Sequence, residues 1–307
     1  MPRWNLACAG LVVALVPMVS RPAPARNDSP ALLHPLNRAM AGQAGTALVL
    51  DVQSGGILAA YHPQVAAQRL AYPGSSIKPF TLLALLAGGK VDGHTTLMCK
   101  RTLTIAGHRL DCSHPATGEP LDPSGALAYS CNSYFTSVAT RLTPQQLRDS
   151  FVREGFASVP GLTANEAAGS VALAHSPEEL QLQAIGESGI RVTPLELANA
   201  YRNLARSSVA RGKDGAMALL FEGLQGSVAY GMARAAQPAS AIQVAGKTGT
   251  ATADEGAWTH GWFAGYAPAN NPRIVVVVFL EKGHGSDAAG IARDVFAAFA
   301  AQNGTQP

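Results

Sequence analysis

Pro73-Gly74-Ser75-Ser76-Ile77-Lys78-Pro79-Phe80-Thr81-Leu82-Leu83-Ala84-Leu85-Leu86-Ala87-Gly88-Gly89 decides how the rest of the chain is read. Ile77 to Ala87 is apolar on almost every side and stops at a glycine pair, the pattern of a helix buried inside a domain. Ser75 and Lys78 stand at its start, three residues apart, so one helical turn sets both side chains on one face. A lysine desolvated at a helix N-terminus has its charged form disfavoured by burial and by the helix dipole, which suits it to act as a neutral-amine base toward a serine nucleophile. Alone, the pair carries little, because Ser75 or Ser76 can simply cap the helix while Lys78 points into water.

Two further motifs follow in order. Ser130-Cys131-Asn132 falls in the break between two expected helices, where alternate side chains face one way. Ser130 can then relay a proton between Lys78 and a leaving nitrogen, while Asn132 holds a substrate carbonyl. Cys131 is expected to point away and pack as a small apolar residue. Lys247-Thr248-Gly249-Thr250 interrupts a strand with a glycine, allowing close approach of a ligand or another backbone. Lys247 offers charge there, and the hydroxyls of Thr248 and Thr250 can bind a carboxylate. The backbone N–H groups of Ser75 and Thr250 are expected to form an oxyanion hole.

Outward from the motifs, Ser29-Pro30 opens an amphipathic helix through Met40, with Ser29 as N-cap. Thr46 to Val52 and Ile57 to Tyr61 read as a β-hairpin turning at Gln53-Ser54-Gly55-Gly56. Helices are expected from Asp122-Pro123 to about Tyr129, over Ser133 to Leu142, Pro144 to Glu154 and Pro194 to Ala205. Gln243 to Ala251, Trp258 to Ala267 and Arg273 to Glu281 read as strands, and Ala288 to Ala301 as a closing helix. The fold class is therefore α/β: a five-stranded antiparallel sheet flanked by helices, built from both chain ends, with an inserted all-helical lobe. One domain over 26–307 is expected, its α/β lobe at about 29–75 and 206–307 and its helical lobe at about 76–205.

The three motifs and their surroundings resemble the transpeptidase domains of large penicillin-binding proteins, within the wider β-lactamase-like superfamily. The resemblance extends through Ser133-Tyr134-Phe135, Val192-Thr193-Pro194-Leu195-Glu196-Leu197-Ala198 and Trp262-Phe263-Ala264-Gly265-Tyr266-Ala267-Pro268, and runs from about Thr46 to the last helix. It implies attack of Ser75 on the D-alanyl-D-alanine end of a peptidoglycan stem peptide, release of D-alanine and acyl transfer to an amine. It implies that β-lactam antibiotics acylate the same serine, that no cofactor takes part, and that a separate glycosyltransferase is a candidate partner. Ser188 departs from the family pattern, standing where a Gly-x-Gly segment usually has its second glycine.

Other readings stay open. A D,D-carboxypeptidase or endopeptidase shares the motifs, since they do not fix the acyl acceptor. A class A β-lactamase needs a Glu-x-x-Leu-Asn loop. The nearest approach, Glu196-Leu197-Ala198-Asn199, sits in an expected amphipathic helix, and a class D enzyme would carry valine or isoleucine in place of Asn132. A non-catalytic penicillin- or wall-binding module conflicts with the intact motif set.

The 307 residues are 47% hydrophobic and 14% charged, the balance of a globular chain with a large core. The formal net charge of +3 falls when Arg3 and Arg21 are removed with an N-terminal segment, and gives no basis for nucleic-acid binding. That segment, 1–25, reads as an export signal: Arg3, an apolar run from Leu6 to Val19, and Ala23-Pro24-Ala25 as cleavage site. An uncleaved anchor is the alternative, so the expected location is periplasmic or otherwise extracytoplasmic. Beyond Cys8 the chain has Cys99, Cys112 and Cys131. Cys99 and Cys112 flank an alternating segment turning at Gly107, which leaves a Cys99–Cys112 disulfide and two free thiols equally open. Neither the cysteine spacing nor the neighbouring histidines has the pattern of a zinc site, and no metal is expected.

Overall fold

The computed structural model describes residues 28–211, 215–302 and 304, so the expected export segment lies outside the described residues. From the N-terminal side, helix α1 (Pro30–Ala39) leads into strands β1 (Gly45–Asp51) and β2 (Ile57–Tyr61), helix α2 (Pro63–Gln68), a 3-10 turn over Gly74–Ile77 and helix α3 (Lys78–Ala87). Next come the short strands β3 (Thr104–Ile105) and β4 (His108–Arg109), helices α4 (Pro123–Ala128), α5 (Asn132–Ala139) and α6 (Pro144–Arg153), and strand β5 (Ser170–Val171). Helix α7 (Pro177–Ile185), strand β6 (Ile190–Arg191) and helices α8 (Pro194–Arg211) and α9 (Gly215–Ala229) follow. Strands β7 (Ala245–Thr252), β8 (Thr259–Ala267) and β9 (Ile274–Leu280) and helix α10 (Gly285–Gln302) complete the order.

The five-stranded sheet runs β2-β1-β9-β8-β7, antiparallel throughout, as the alternating segments predict. Its period-2 pattern sends alternate residues to opposite layers. Val276, Val278, Ala47 and Val49 pack with Leu32 and Leu36 of α1 and Phe296 of α10. Val275, Val277, Leu48 and Leu50 pack on the other side with Phe80 and Leu85 of α3 and Tyr201 of α8. Strand β9 is buried on both faces, which explains its uninterrupted Ile-Val-Val-Val-Val-Phe-Leu run.

Local chemistry accounts for the element boundaries. Asp51 Oδ1 accepts hydrogen bonds from Ser54 N (2.6 Å) and Ser54 Oγ (2.8 Å), closing the β1–β2 turn. Asp122 caps α4 through Gly125 N at 2.7 Å, and Thr143 with Gln146 forms a capping box on α6. Ser29 occupies the N-cap of α1 but makes no side-chain cap; its N–H donates instead to Leu58 O at 2.7 Å. The helical lobe also carries two short ribbons, β3–β4 and β5–β6.

Candidate active site

The nucleophile candidate does not start a plain α-helix. Ser75 lies in the 3-10 turn, which passes into α3 at Lys78. In 3-10 geometry residues three apart eclipse, so the two still share one side of the chain. Three bonds fix this corner: Tyr201 Oη donates to Ser76 O (2.8 Å), Trp262 Nε1 to Tyr72 O (2.9 Å) and Thr81 Oγ1 to Ala184 O (2.7 Å).

Lys78 is completely buried, and its ammonium donates to Ser130 O at 2.8 Å, Ser130 Oγ at 3.3 Å and Asn132 Oδ1 at 2.5 Å. No hydrogen bond among the described residues joins it to Ser75, so the amine is held on the second motif rather than on the Ser75 hydroxyl. Burial lowers its pKa from 10.5 to about 8, against the opposing effects of the Cys131 and Cys112 sulfurs and the Glu187 carboxylate.

Ser130 has a left-handed backbone, φ 56°, at the break between α4 and α5. A non-glycine residue holds that conformation only where its surroundings enforce it. Here Ser130 N donates to Leu127 O (3.1 Å) and Cys131 N to Ala126 O (2.9 Å). Asn132 is the first residue of α5, and its amide bridges the Lys78 ammonium and Leu110 O, the latter at 3.0 Å.

The third motif crosses this corner on the edge strand β7. A Cβ on Gly249 would lie 2.5 Å from Pro73 O and 2.9 Å from Ser76 N, and one on Gly74 (φ 52°) would lie 2.4 Å from Thr250 O. Only glycine at both positions lets the backbones of Ser75 and Thr250 converge. Thr250 Oγ1 accepts from Gly285 N at 3.0 Å, leaving its proton for a ligand. Lys247 is fully buried and donates to Thr248 O at 2.9 Å; burial, with the charge of Lys78, pulls its pKa well down.

Ser75, Ser130, Asn132, Thr248 and Thr250 open on one cleft of about 270 Å³. A larger groove of about 510 Å³ between α3 and α6 contains none of the motif residues, so volume does not locate the chemistry. The arrangement places a hydroxyl, a buried amine, a second hydroxyl and an edge strand bearing two threonine hydroxyls around one space, parts with which serine acyl transfer can be carried out.

The described fold agrees with its relatives. The family model for the penicillin binding protein transpeptidase domain matches residues 45–300. The chain belongs to the penicillin-binding protein transpeptidase family. Relatives in that family include the probable peptidoglycan D,D-transpeptidase PbpC of Pseudomonas aeruginosa, 27% identical over 68% of this chain and 41% of that protein. Another is PbpA of Mycobacterium tuberculosis, a peptidoglycan D,D-transpeptidase, 28% identical over 69% of this chain and 50% of that protein. The chain thus spans about half the length of these relatives. The apo transpeptidase domain of Burkholderia pseudomallei penicillin-binding protein 3 superposes with a TM-score of 0.79 at 22% identity, covering 95% of this chain and 99% of that one. Pseudomonas aeruginosa PBP2, solved in complex with WCK 5153, gives 0.77 at 24% identity over 89% and 77%. These two likenesses establish the fold.

Three features of the site settle or extend the sequence reading. The cysteines Cys99, Cys112 and Cys131 are free, so the Cys99–Cys112 disulfide is not formed. In the β3–β4 ribbon Cys112 N pairs with Arg101 O at 2.8 Å, which sets Cys112 opposite Arg101 rather than Cys99. Its sulfur faces Cys131 Sγ at 3.8 Å instead. Cys131 does pack in the apolar core as expected, and its sulfur also lies beside Cys99, Cys112 and His114.

Glu187, on the cleft wall just after α7, was not singled out from sequence. Burial pushes its carboxyl pKa up, opposed by a backbone hydrogen bond from Thr252 and the charge of Lys78. The only sequence hint is its place in Gly186-Glu187-Ser188-Gly189, between the left-handed Gly186 (φ 78°) and Gly189 (φ 69°).

Proposed function

We propose that this chain is an exported serine D,D-acyltransferase that cleaves D-alanyl-D-alanine stem peptides of peptidoglycan and transfers the acyl group to an amine. The observation that carries the reading is the convergence of Ser75, Ser130, Asn132, Thr248 and Thr250 on one cleft, with the buried Lys78 amine bonded to its wall. Neutral Lys78 accepts the Ser75 hydroxyl proton as Oγ adds to the penultimate D-alanine carbonyl. The N–H groups of Ser75 and Thr250 meet the resulting oxyanion. When the carbon–nitrogen bond breaks, the proton passes through Ser130 to the leaving amine, and D-alanine departs. An incoming amine then loses its proton by the same route and displaces Ser75 from the ester. Thr248 and Thr250 hold the terminal carboxylate. β-Lactam antibiotics acylate Ser75 in the same way, and a separate glycosyltransferase would supply the glycan strands.

Glu187 favours a second reading, in which water replaces the amine and the product is a trimmed peptide, because a carboxyl on the same cleft wall can take a proton from water. Incubation of the mature protein with a D-alanyl-D-alanine peptide and an acceptor amine separates the two. Cross-linked product supports transfer, trimmed product alone supports hydrolysis, and no D-alanine release together with no penicillin adduct on Ser75 overturns both.

A further inference from the structure

Behind the second motif, four metal-ligating side chains meet that no step of acyl transfer uses. The sulfurs of Cys99, Cys112 and Cys131 and a ring nitrogen of His114 all lie within 4.8 Å of one another. We propose that Cys99, Cys112, His114 and Cys131 form a structural zinc site that fastens the β3–β4 ribbon to the Ser130-Cys131-Asn132 loop.

The distances fit that ion. With Zn–S of about 2.3 Å and Zn–N of about 2.0 Å, a tetrahedron has S···S edges of about 3.8 Å and S···N edges of about 3.5 Å. Cys112 Sγ lies 3.8 Å from Cys131 Sγ, and Cys99 Sγ lies 3.5 Å from His114 Nε2. The remaining edges close with shifts of about half an ångström per atom.

The surroundings are also those of a ligand set. His114 is buried, and its Nδ1 faces Pro115 O at 2.7 Å; a proton on Nδ1 leaves the Nε2 lone pair turned into the thiols. Each sulfur receives a backbone N–H: Cys99 from Arg101 (3.4 Å), Cys112 from Ser133 (3.5 Å) and Cys131 from Tyr134 (3.4 Å). Such bonds stabilise thiolates, and three thiols give up their protons to solvent when the metal binds. Three sulfurs and one imidazole in tetrahedral array select zinc among common divalent ions.

The segment needs such a fastening. Its strands are two residues long, and apart from Ile105 their side chains are exposed. A two-stranded ribbon of this kind is marginal without added support. Yet Leu110 O receives the Asn132 amide, and Arg109, Leu110 and Asp111 form part of the cleft wall. Cys131 joins this ribbon to the residues on either side of it, Ser130 and Asn132, so the ion would hold wall and motif together.

The full chain, purified in reducing buffer without chelator, should contain about one zinc per molecule by elemental mass spectrometry. After chelator treatment it should take up one cobalt(II) with the charge-transfer and d–d bands of a tetrahedral thiolate site, and its thermal midpoint should rise on adding zinc. Cys99→Ser should weaken zinc binding on the order of a hundredfold or more. His114→Cys should keep the metal and shift the cobalt bands, which guards against a folding defect being taken for ligand loss. The proposal is overturned if the reduced chain takes up neither zinc nor cobalt. A Cys112–Cys131 disulfide in the isolated, metal-free protein, or undiminished zinc in a Cys99→Ser, Cys112→Ser double variant, overturns it equally. None of these readouts depends on acyl transfer.

Discussion

Lys78 Nζ stands 2.5 Å from Asn132 Oδ1, and through this bond the amine of the first motif is oriented by the amide of the second. The same amide donates to Leu110 O, so the ammonium, the motif loop and the ribbon form one polar chain. Charge-assisted bonds of this type contribute about 1.5 to 3 kcal/mol. Asn132→Ala should therefore slow penicillin acylation of Ser75 by roughly ten- to a hundredfold, measured by intact mass against time. A variant that acylates at the parental rate would show that Lys78 is held by Ser130 alone.

The pH dependence follows from burial of Lys78. Its pKa is lowered from 10.5 to about 8, so the neutral amine is the minor form at pH 7, roughly one tenth of the population, and becomes dominant above pH 8. Acylation should rise about tenfold per pH unit well below 8 and level off above it. Between about 8 and 10.5 the unfolded chain binds more protons at this residue than the folded one, so stability from Lys78 also rises with pH through that window. Lys78→Ala should abolish the midpoint and slow acylation by roughly a hundredfold or more. A parental profile in that variant would remove Lys78 from the base role.

Burial sets that midpoint, and Glu187 opposes it, after the Cys131 and Cys112 sulfurs. Its charge favours the Lys78 ammonium, so Glu187→Gln should shift the acylation midpoint to lower pH. Were the carboxyl also to activate water, the variant would keep its penicillin adduct longer than the parent. An unchanged midpoint and adduct lifetime would leave Glu187 as a wall residue only.

The sequence made the sheet legible because its strands obey simple rules: β8 and β9 are long, apolar and bounded by turns, and the β1–β2 turn carries its own Asp-Ser-Gly chemistry. It concealed α9, which is apolar without a stripe because it packs on several neighbours. Gly223 in that helix lies so near α4 that a Cβ would meet Ser124 O at 2.9 Å. The motif residues were readable because each lies within a short contiguous signature. The cysteine cluster was not, because its ligands come from three separated segments with none of the short spacings that mark zinc sites. The choice between a Cys99–Cys112 disulfide and free thiols was open for a related reason: alternation locates a ribbon, while its register decides which residues face each other.

The last prediction concerns Gly249, whose missing side chain admits the corner that carries Ser75. A methyl group there would stand 2.5 Å from Pro73 O and 2.9 Å from Ser76 N, both backbone atoms that cannot rotate aside. Gly249→Ala must therefore separate β7 from the 3-10 turn, and overpacking of this kind costs about 1 to 3 kcal/mol. The same separation moves Thr250 N from Ser75 N, so the two proposed oxyanion donors would no longer meet one oxygen. Acylation should fall by roughly a hundredfold or more, while urea unfolding shows a cooperative transition shifted to lower denaturant. Thr248→Val serves as the comparison: it leaves the backbone contact intact and removes only the hydroxyl proposed to bind the carboxylate. It should lose roughly ten- to a hundredfold in acylation, with its unfolding midpoint near the parent's. If Gly249→Ala acylates as fast as the parent, the close crossing of the two backbones is not what assembles the site.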